Sequence, residues 1–297
     1  MVSNVASHDP GANIMRTAIV LLGATLLVAG ARTEPGDLYV ANIRTSEVTM
    51  YDGATGAFER VFVTAGAGGL RGATGIAFGP DGNLYVGSSQ SHQVLRYDAS
   101  TGASMGAFVD DPDLRTPFSL IFGPDGHLYV SSGTQHIVRR YDGSTGRFMN
   151  VAAADSALKQ PIGLGFGQDR MLYVVNSAGG NIMRFDPSSG RGSVFATDSL
   201  GYPSDLAFGP DGGLYVTNAS KGTVVRFDGK TGAFRAVYTR LPARSAPVGL
   251  AFTSDGRLFV GDFGSNRLFL VPRGGGAAVQ VATDGLAGPE NIAVRPQ

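Results

Sequence analysis

The tripeptide LYV stands at Leu38, Leu84, Leu128, Leu172 and Leu214, and returns as LFV at Leu258. The copies are spaced 42 to 46 residues apart, and the 21-residue block that each opens aligns with the others without gaps. It runs from LYVANIRTSEVTMYDGATGAF in the first copy to LFVGDFGSNRLFLVPRGGGAA in the last. A fixed period in this range belongs to repeat architectures. One such unit cannot bury a core alone, so its stability comes from its neighbours.

Each repeat reads as four short strands. An apolar run such as Gly75–Phe78 comes first and LYV second. A segment like Val94–Tyr97 is third, and a weaker stretch after a Thr-Gly turn is fourth. Gly79-Pro80-Asp81-Gly82 carries a Pro with preset φ, an Asp that bonds its own backbone and a Gly for positive φ, as a tight hairpin requires. The signal recurs at Gly123–Gly126 and Gly209–Gly212 and weakens to GQDR at Gly167–Arg170. Asp-Gly-x-Thr-Gly at Asp52–Gly56, Asp142–Gly146 and Asp228–Gly232 marks a second hairpin. Two hairpins per repeat predict a propeller blade rather than a solenoid coil.

Alternation within the first strand supports the same reading. One phase is bulky (Ile76/Phe78, Leu120/Phe122, Leu206/Phe208, Leu250/Phe252), and the other is mostly small (Gly75/Ala77, Gly249/Ala251). The two sets lie on opposite faces of a strand, and large against small suits blades crowding at a central axis. The first LYV lacks a strand of this kind before it, whereas Gly288–Val294 is one with no LYV after it. The chain is therefore expected to be all-β, a six-bladed propeller of four-stranded blades. Its C-terminal strand should complete the blade begun by residues 38–65 and pair both loose edges of the ring.

Arg16 and the apolar run Ala18–Ala29, ending in Ala29-Gly30-Ala31, read as a secretory signal peptide cleaved after Ala31. The run is shorter than the roughly 20 residues of a membrane span. Residues 1–31 are thus expected to be an address, with either Met1 or Met15 as the start, and residues 32–297 the propeller. The mature protein is expected to be a secreted or periplasmic monomer without a membrane span. Cysteine is absent, which excludes disulfides, thiolate metal sites and a thiol nucleophile. Lys+Arg and Asp+Glu balance at 24 each, so no charge excess favours nucleic acid.

The blocks resemble NHL-repeat propellers, best over Phe78–Asp98 (FGPDGNLYVGSSQSHQVLRYD), and the resemblance spans residues 38–297. It implies a binding platform. It also implies a distant similarity to gluconolactonase-like hydrolases and streptogramin lyases, which are propellers too. The WD class is excluded by the lack of Trp.

Gluconolactonase-like proteins hold a divalent metal in the channel through Glu, Asn and Asp near the starts of inner strands. The matching positions here are Thr74, Phe118, Ile162, Ser204, Val248 and Glu290, of which only Glu290 fits. One residue further on stand Ser119, Asp205 and Asn291, with Gly75, Gly163 and Gly249 between them. A shifted Ca²⁺ or Mg²⁺ site would therefore use Asp205, Glu290 and Asn291; the alternative is that these residues cap strand ends and hold water. The lyases' Trp-containing repeat and a clear His/Glu pair are both missing.

His92 and His136, with Asp110, Asp111 and Asp113 between them in sequence, suggest a zinc site. They occupy equivalent positions of adjacent blades, however, which lie on the order of 12–15 Å apart given the spacing of strands. Ligands must approach within about 2.1 Å of a metal, so a structural role is expected. His127 falls in a first-hairpin turn on the opposite face. The fifth position of each block (Asn42, Ser88, Ser132, Asn176, Asn218, Asp262) is polar in every copy and should close the loop by side chain–backbone hydrogen bonds.

Recognition is expected in the variable inter-blade connections, where Arg71, Arg115, Lys159, Tyr202, Arg240 and Arg244 are the candidate ligand contacts. The leading expectation is an exported, non-catalytic scaffold that binds a protein, glycan or small molecule on that face. The alternatives are a metal-dependent lactonase at the channel mouth, and a lyase.

Overall fold

The computed structural model describes residues 36–296; the expected signal peptide lies outside them. Among these residues no helix is long and apolar enough to cross a membrane. Six antiparallel sheets of four strands make up the fold, and 23 of the 24 strands follow chain order within their sheets. Blade two shows the pattern: Ala73–Phe78 lies innermost, followed by Leu84–Ser88, Gln93–Tyr97 and Ser104–Val109. Inner strands of blades three to six are Pro117–Phe122, Pro161–Phe166, Pro203–Phe208 and Pro247–Phe252. Blade one takes its inner strand, Pro289–Val294, from the far end of the chain. That strand pairs antiparallel with Leu38–Asn42, Leu38 opposite Val294 and Val40 opposite Ile292. The ring closes as the sequence predicts.

Turn chemistry sets the register. In the first hairpins Gly82, Gly126, Gly212 and Gly256 all have φ between 73° and 81°. Arg170, in the weakened GQDR turn, is forced to φ 63°, a conformation that disfavours a side chain. In the second hairpins the leading Asp accepts hydrogen bonds within its own turn. Asp52 Oδ1 accepts from the Ala54 and Thr55 amides and from the Thr55 hydroxyl, and Asp98, Asp142 and Asp228 repeat the set.

The blades are held to one another by aromatic rings. The Tyr of each LYV is buried and meets, edge to face, the last Phe of the next blade's inner strand. These pairs are Tyr39–Phe78, Tyr85–Phe122, Tyr129–Phe166, Tyr173–Phe208 and Tyr215–Phe252, with centroids 4.9 to 5.1 Å apart. Each such pair adds about 0.5–1.5 kcal/mol beyond the area it buries.

Near the axis Gly75 and Gly249 leave no room for a side chain. A Cβ on Gly75 would lie 2.7 Å from the Ser119 Cα, and one on Gly249 would lie 2.7 Å from the Glu290 carbonyl oxygen.

The fifth-position ring closes loops, as expected, and its partners lie in the inter-blade connections. Asn42 Oδ1 accepts from the Ala287 amide (2.9 Å) and Asn218 Oδ1 from the Gly201 amide (3.1 Å), and Asp262 Oδ1 accepts from the Ala246 amide (2.6 Å). Asn176 Oδ1 accepts from the Lys159 amide, Ser88 Oγ bonds the Arg71 backbone, and Ser132 Oγ donates to the Arg115 carbonyl. All six side chains are fully buried. This fixes the face on which the connections gather.

Candidate functional site at the channel mouth

Every inner strand loses register with its neighbour near its start, for example between Pro117 and Leu120 and between Pro203 and Leu206. Such bulges re-aim side chains and loosen pairing. Hydroxyls fill the gap. Thr217 Oγ1 accepts from the Asp205 amide (2.8 Å) and donates to the Val248 carbonyl (2.6 Å). Ser131 Oγ does the same between Ser119 and Ile162. The strand starts are thereby sewn together across blades and splayed enough to leave a cavity of about 260 Å³ at the loop-face end of the channel.

Its wall is mainly apolar, with Phe118, Ile162 and Val248 from inner strands and Ala219, Ala246 and Phe263 from loops. Polar groups enter from Ser119, Ser204, Glu290 and Asn291, and from Gln160 and Tyr202, whose hydroxyl donates to Gln160 Oε1 (2.8 Å). Glu290 is the acid in this lining. No hydrogen-bond donor within the described residues serves its carboxyl. Burial pushes its pKa up from 4.5 to about 7, with the positive charge of Arg44 pulling the other way.

Asp205 lies beneath the wall and is buried. Its Oδ1 accepts from the Leu206 amide (2.9 Å), and its Oδ2 accepts from the Leu250 amide (3.2 Å) and from Asn291 Nδ2 (3.3 Å). It therefore ties the inner strands of blades five, six and one. Loss of water raises its pKa from 3.8 to about 7 despite the amide donors, and the charge of Glu290 adds to the rise.

The structure thus brings Asp205, Glu290 and Asn291 together, with unlike roles. Both Asp205 oxygens are engaged by N–H groups, leaving the Glu290 carboxylate and the Asn291 side-chain oxygen as free donors to a cation. The Glu290 carboxylate and the Asn291 side-chain oxygen offer at most three protein oxygens, short of the six to eight that Ca²⁺ takes, so these residues alone do not complete a Ca²⁺ centre. Elsewhere, one group of three acids converges within 4.8 Å among the described residues, Asp37, Asp52 and Glu59. It belongs to the hairpin face, away from the cavity.

Of the loop side chains singled out in the sequence, Tyr202 alone lines the cavity. Arg115 folds back onto the carbonyls of Pro112 and Leu114. Arg71, Lys159, Arg240 and Arg244 are exposed and outside the wall.

His92 and His136 are structural, as expected. His92 Nδ1 accepts from the Thr116 amide (3.1 Å), and His136 Nδ1 accepts from the Gln160 amide (3.0 Å), each holding the next connection in place. His127 Nδ1 accepts from Gly143 on the opposite face. Asp111 bonds Arg139 and Tyr141 instead of joining a histidine.

Arg44 and Phe263 were not singled out in the sequence. The Arg44 guanidinium lies over the Phe263 ring, 4.4 Å from its centroid, and Nη1 donates to Asn266 Oδ1 (3.1 Å). These residues come from blades one and six, joined only by ring closure.

Residues 61–293 match the model of the virginiamycin B lyase family. The chain belongs to that family. Among curated proteins, none matches in sequence. Solved structures resemble this virginiamycin B lyase family member in fold. A chain of a nidogen/laminin complex aligns with a TM-score of 0.73 at 16% identity, over 87% of this chain and 98% of that one. A virginiamycin B lyase from Staphylococcus aureus, a catalytically inactive His→Ala variant with quinupristin, aligns with a TM-score of 0.60 at 17% identity, over 74% of each chain. A putative gluconolactonase aligns with a TM-score of 0.61 at 15% identity, over 74% of this chain and 80% of that one.

Proposed function

We propose that the protein is a binding propeller that receives a small, largely apolar ligand at the channel mouth on its loop face, with Glu290 as the polar anchor. The observation that carries this reading is the carboxyl of Glu290. It lines an apolar cavity, is held near neutrality by burial and has no donor of its own. The carboxyl is partly open to the cavity, so a ligand that displaces water from the apolar mouth must supply a donor to it or leave it unsatisfied. A mostly apolar pocket with a few convergent polar groups is the usual form of a small-molecule site.

Membership of a lyase family favours a second reading, in which Glu290 takes a proton from a bound substrate. A carboxyl shifted to about 7 suits a general base at neutral pH. The S. aureus lyase is inactive when a histidine is replaced by alanine, whereas no histidine lines this cavity. That difference favours the binding reading.

Both readings are tested by screening small molecules against wild type and Glu290→Gln, with thermal shift for binding and mass spectrometry for turnover. The expected result is a set of ligands that stabilise wild type and lose most of that effect in the variant. Ligands that stabilise both proteins equally would move the site elsewhere. A mass change in a bound compound, lost with Glu290→Gln, would promote the second reading.

A further inference from the structure

The cavity carries one acid on its wall and one cation at its rim, and they do not neutralise each other. Arg44 and Glu290 are coupled through space, yet no ion pair joins them. Arg44 is exposed, and its partners are a neutral amide oxygen and an aromatic face. Stacking on Phe263, a wall residue, fixes the plane of the guanidinium. The Arg44 stem is held from below as well, because the chain at Gly288 passes so close that a Cβ there would lie 2.9 Å from Arg44 Cγ. An oriented guanidinium without an acid partner is ready for a carboxylate, which it can bind with two parallel hydrogen bonds.

Resting on the proposed channel-mouth site, we infer that the ligand is a zwitterion of the apolar amino-acid class. Its ammonium meets Glu290, its carboxylate meets Arg44, and its side chain lies among Phe118, Ile162 and Val248. The size of the cavity agrees. At about 260 Å³ it falls just below the roughly 300–1,000 Å³ usual for drug-sized ligands, which suits a single residue or a short peptide end. A purely cationic ligand would leave Arg44 repelling it, and a purely anionic one would be repelled by Glu290. Only a ligand with both charges satisfies both groups.

The test is titration calorimetry of the full chain with leucine and phenylalanine, their N-acetyl derivatives, their amides, and N-acetyl-leucinamide. Wild type should bind the free amino acids, and each blocked form about tenfold more weakly, since a charge-assisted hydrogen bond is lost. Glu290→Gln should no longer distinguish leucine from N-acetyl-leucine. Arg44→Gln should no longer distinguish leucine from leucinamide.

Equal binding of free and blocked forms to wild type overturns the zwitterion, and so does an absence of binding across the panel. If N-acetyl-leucinamide binds best and Glu290→Gln weakens it, the zwitterion fails while the channel-mouth site stands. If every bound compound ignores both substitutions, the site fails with it.

Discussion

Replacing Asp205 with Asn separates the charge of that carboxyl from its shape. In the fold burial holds its pKa near 7, against an ordinary 3.8. Below pH 3.8 the group is protonated in both the folded and the unfolded chain, and stability does not depend on it. Between 3.8 and 7 the unfolded chain releases the proton and the folded chain keeps it. Wild-type stability therefore falls as pH rises through that window and levels off above it. Each unit of difference corresponds to about 1.4 kcal/mol, so the loss is on the order of 4 kcal/mol relative to a side chain that never ionises.

The amide of Asp205→Asn has no such dependence. It does turn an NH₂ group toward the Leu206 or Leu250 amide, an unmet donor that costs about 1–3 kcal/mol at every pH. Glu290 shares part of the window, from 4.5 to about 7, but it is present in both proteins and cancels to first order. Urea unfolding at a series of pH values should show the free-energy difference moving by several kcal/mol in favour of the variant between about pH 4 and pH 7. A difference that stays flat across the window refutes the reasoning, because Asp205 would then ionise in the fold as it does in water.

Asp111 bridges Arg139 and the Tyr141 hydroxyl with both charged side chains nearly enclosed, at 13% and 9% exposure. Asp111→Ala should cost about 3–5 kcal/mol by stranding a buried guanidinium, and adding Arg139→Met should recover much of that in thermal melts. Deleting residues 288–297 removes the inner strand of blade one and should destabilise the whole ring; a truncation that melts like the full chain would break the closure argument. Gly163→Ala would bring a Cβ within 2.6 Å of Asp205 Oδ1 and 2.7 Å of its Cα. Overpacking there should cost about 1–3 kcal/mol and weaken ligand binding, whereas Gly274→Ala, strained by its φ of 84° but meeting nothing within 4 Å, should lower stability and leave binding unchanged.

The blades were legible because each repeat carries its own turn chemistry. Asp-Gly-x-Thr-Gly encodes a hydrogen-bonded hairpin locally, and the orphan strand at 289–294 encodes the closure. Glu290, Asn291 and Asp205 stood out because they break a pattern of Gly, Ser and apolar residues at inner-strand starts. What was not legible depends on how distant loops converge. Arg44 and Phe263 are 219 residues apart in sequence and meet only after the ring closes. Charge and position mark the loop cations, yet sequence does not give side-chain direction. Arg115 turns onto its own loop, while Tyr202 turns to the axis through its bond to Gln160. Asp205 is engaged by amides of two strands, a fact set by bulge geometry rather than by residue type.

Crystals of the protein soaked with a library of small fragments would test the central claim most directly. Bound fragments are expected in the channel mouth, with a donor group against the Glu290 carboxyl and an apolar part between Phe118, Ile162 and Val248. Fragments that leave the mouth empty and gather on the opposite face, among the hairpin turns around Asp169, Asp211 and Arg226, would contradict it.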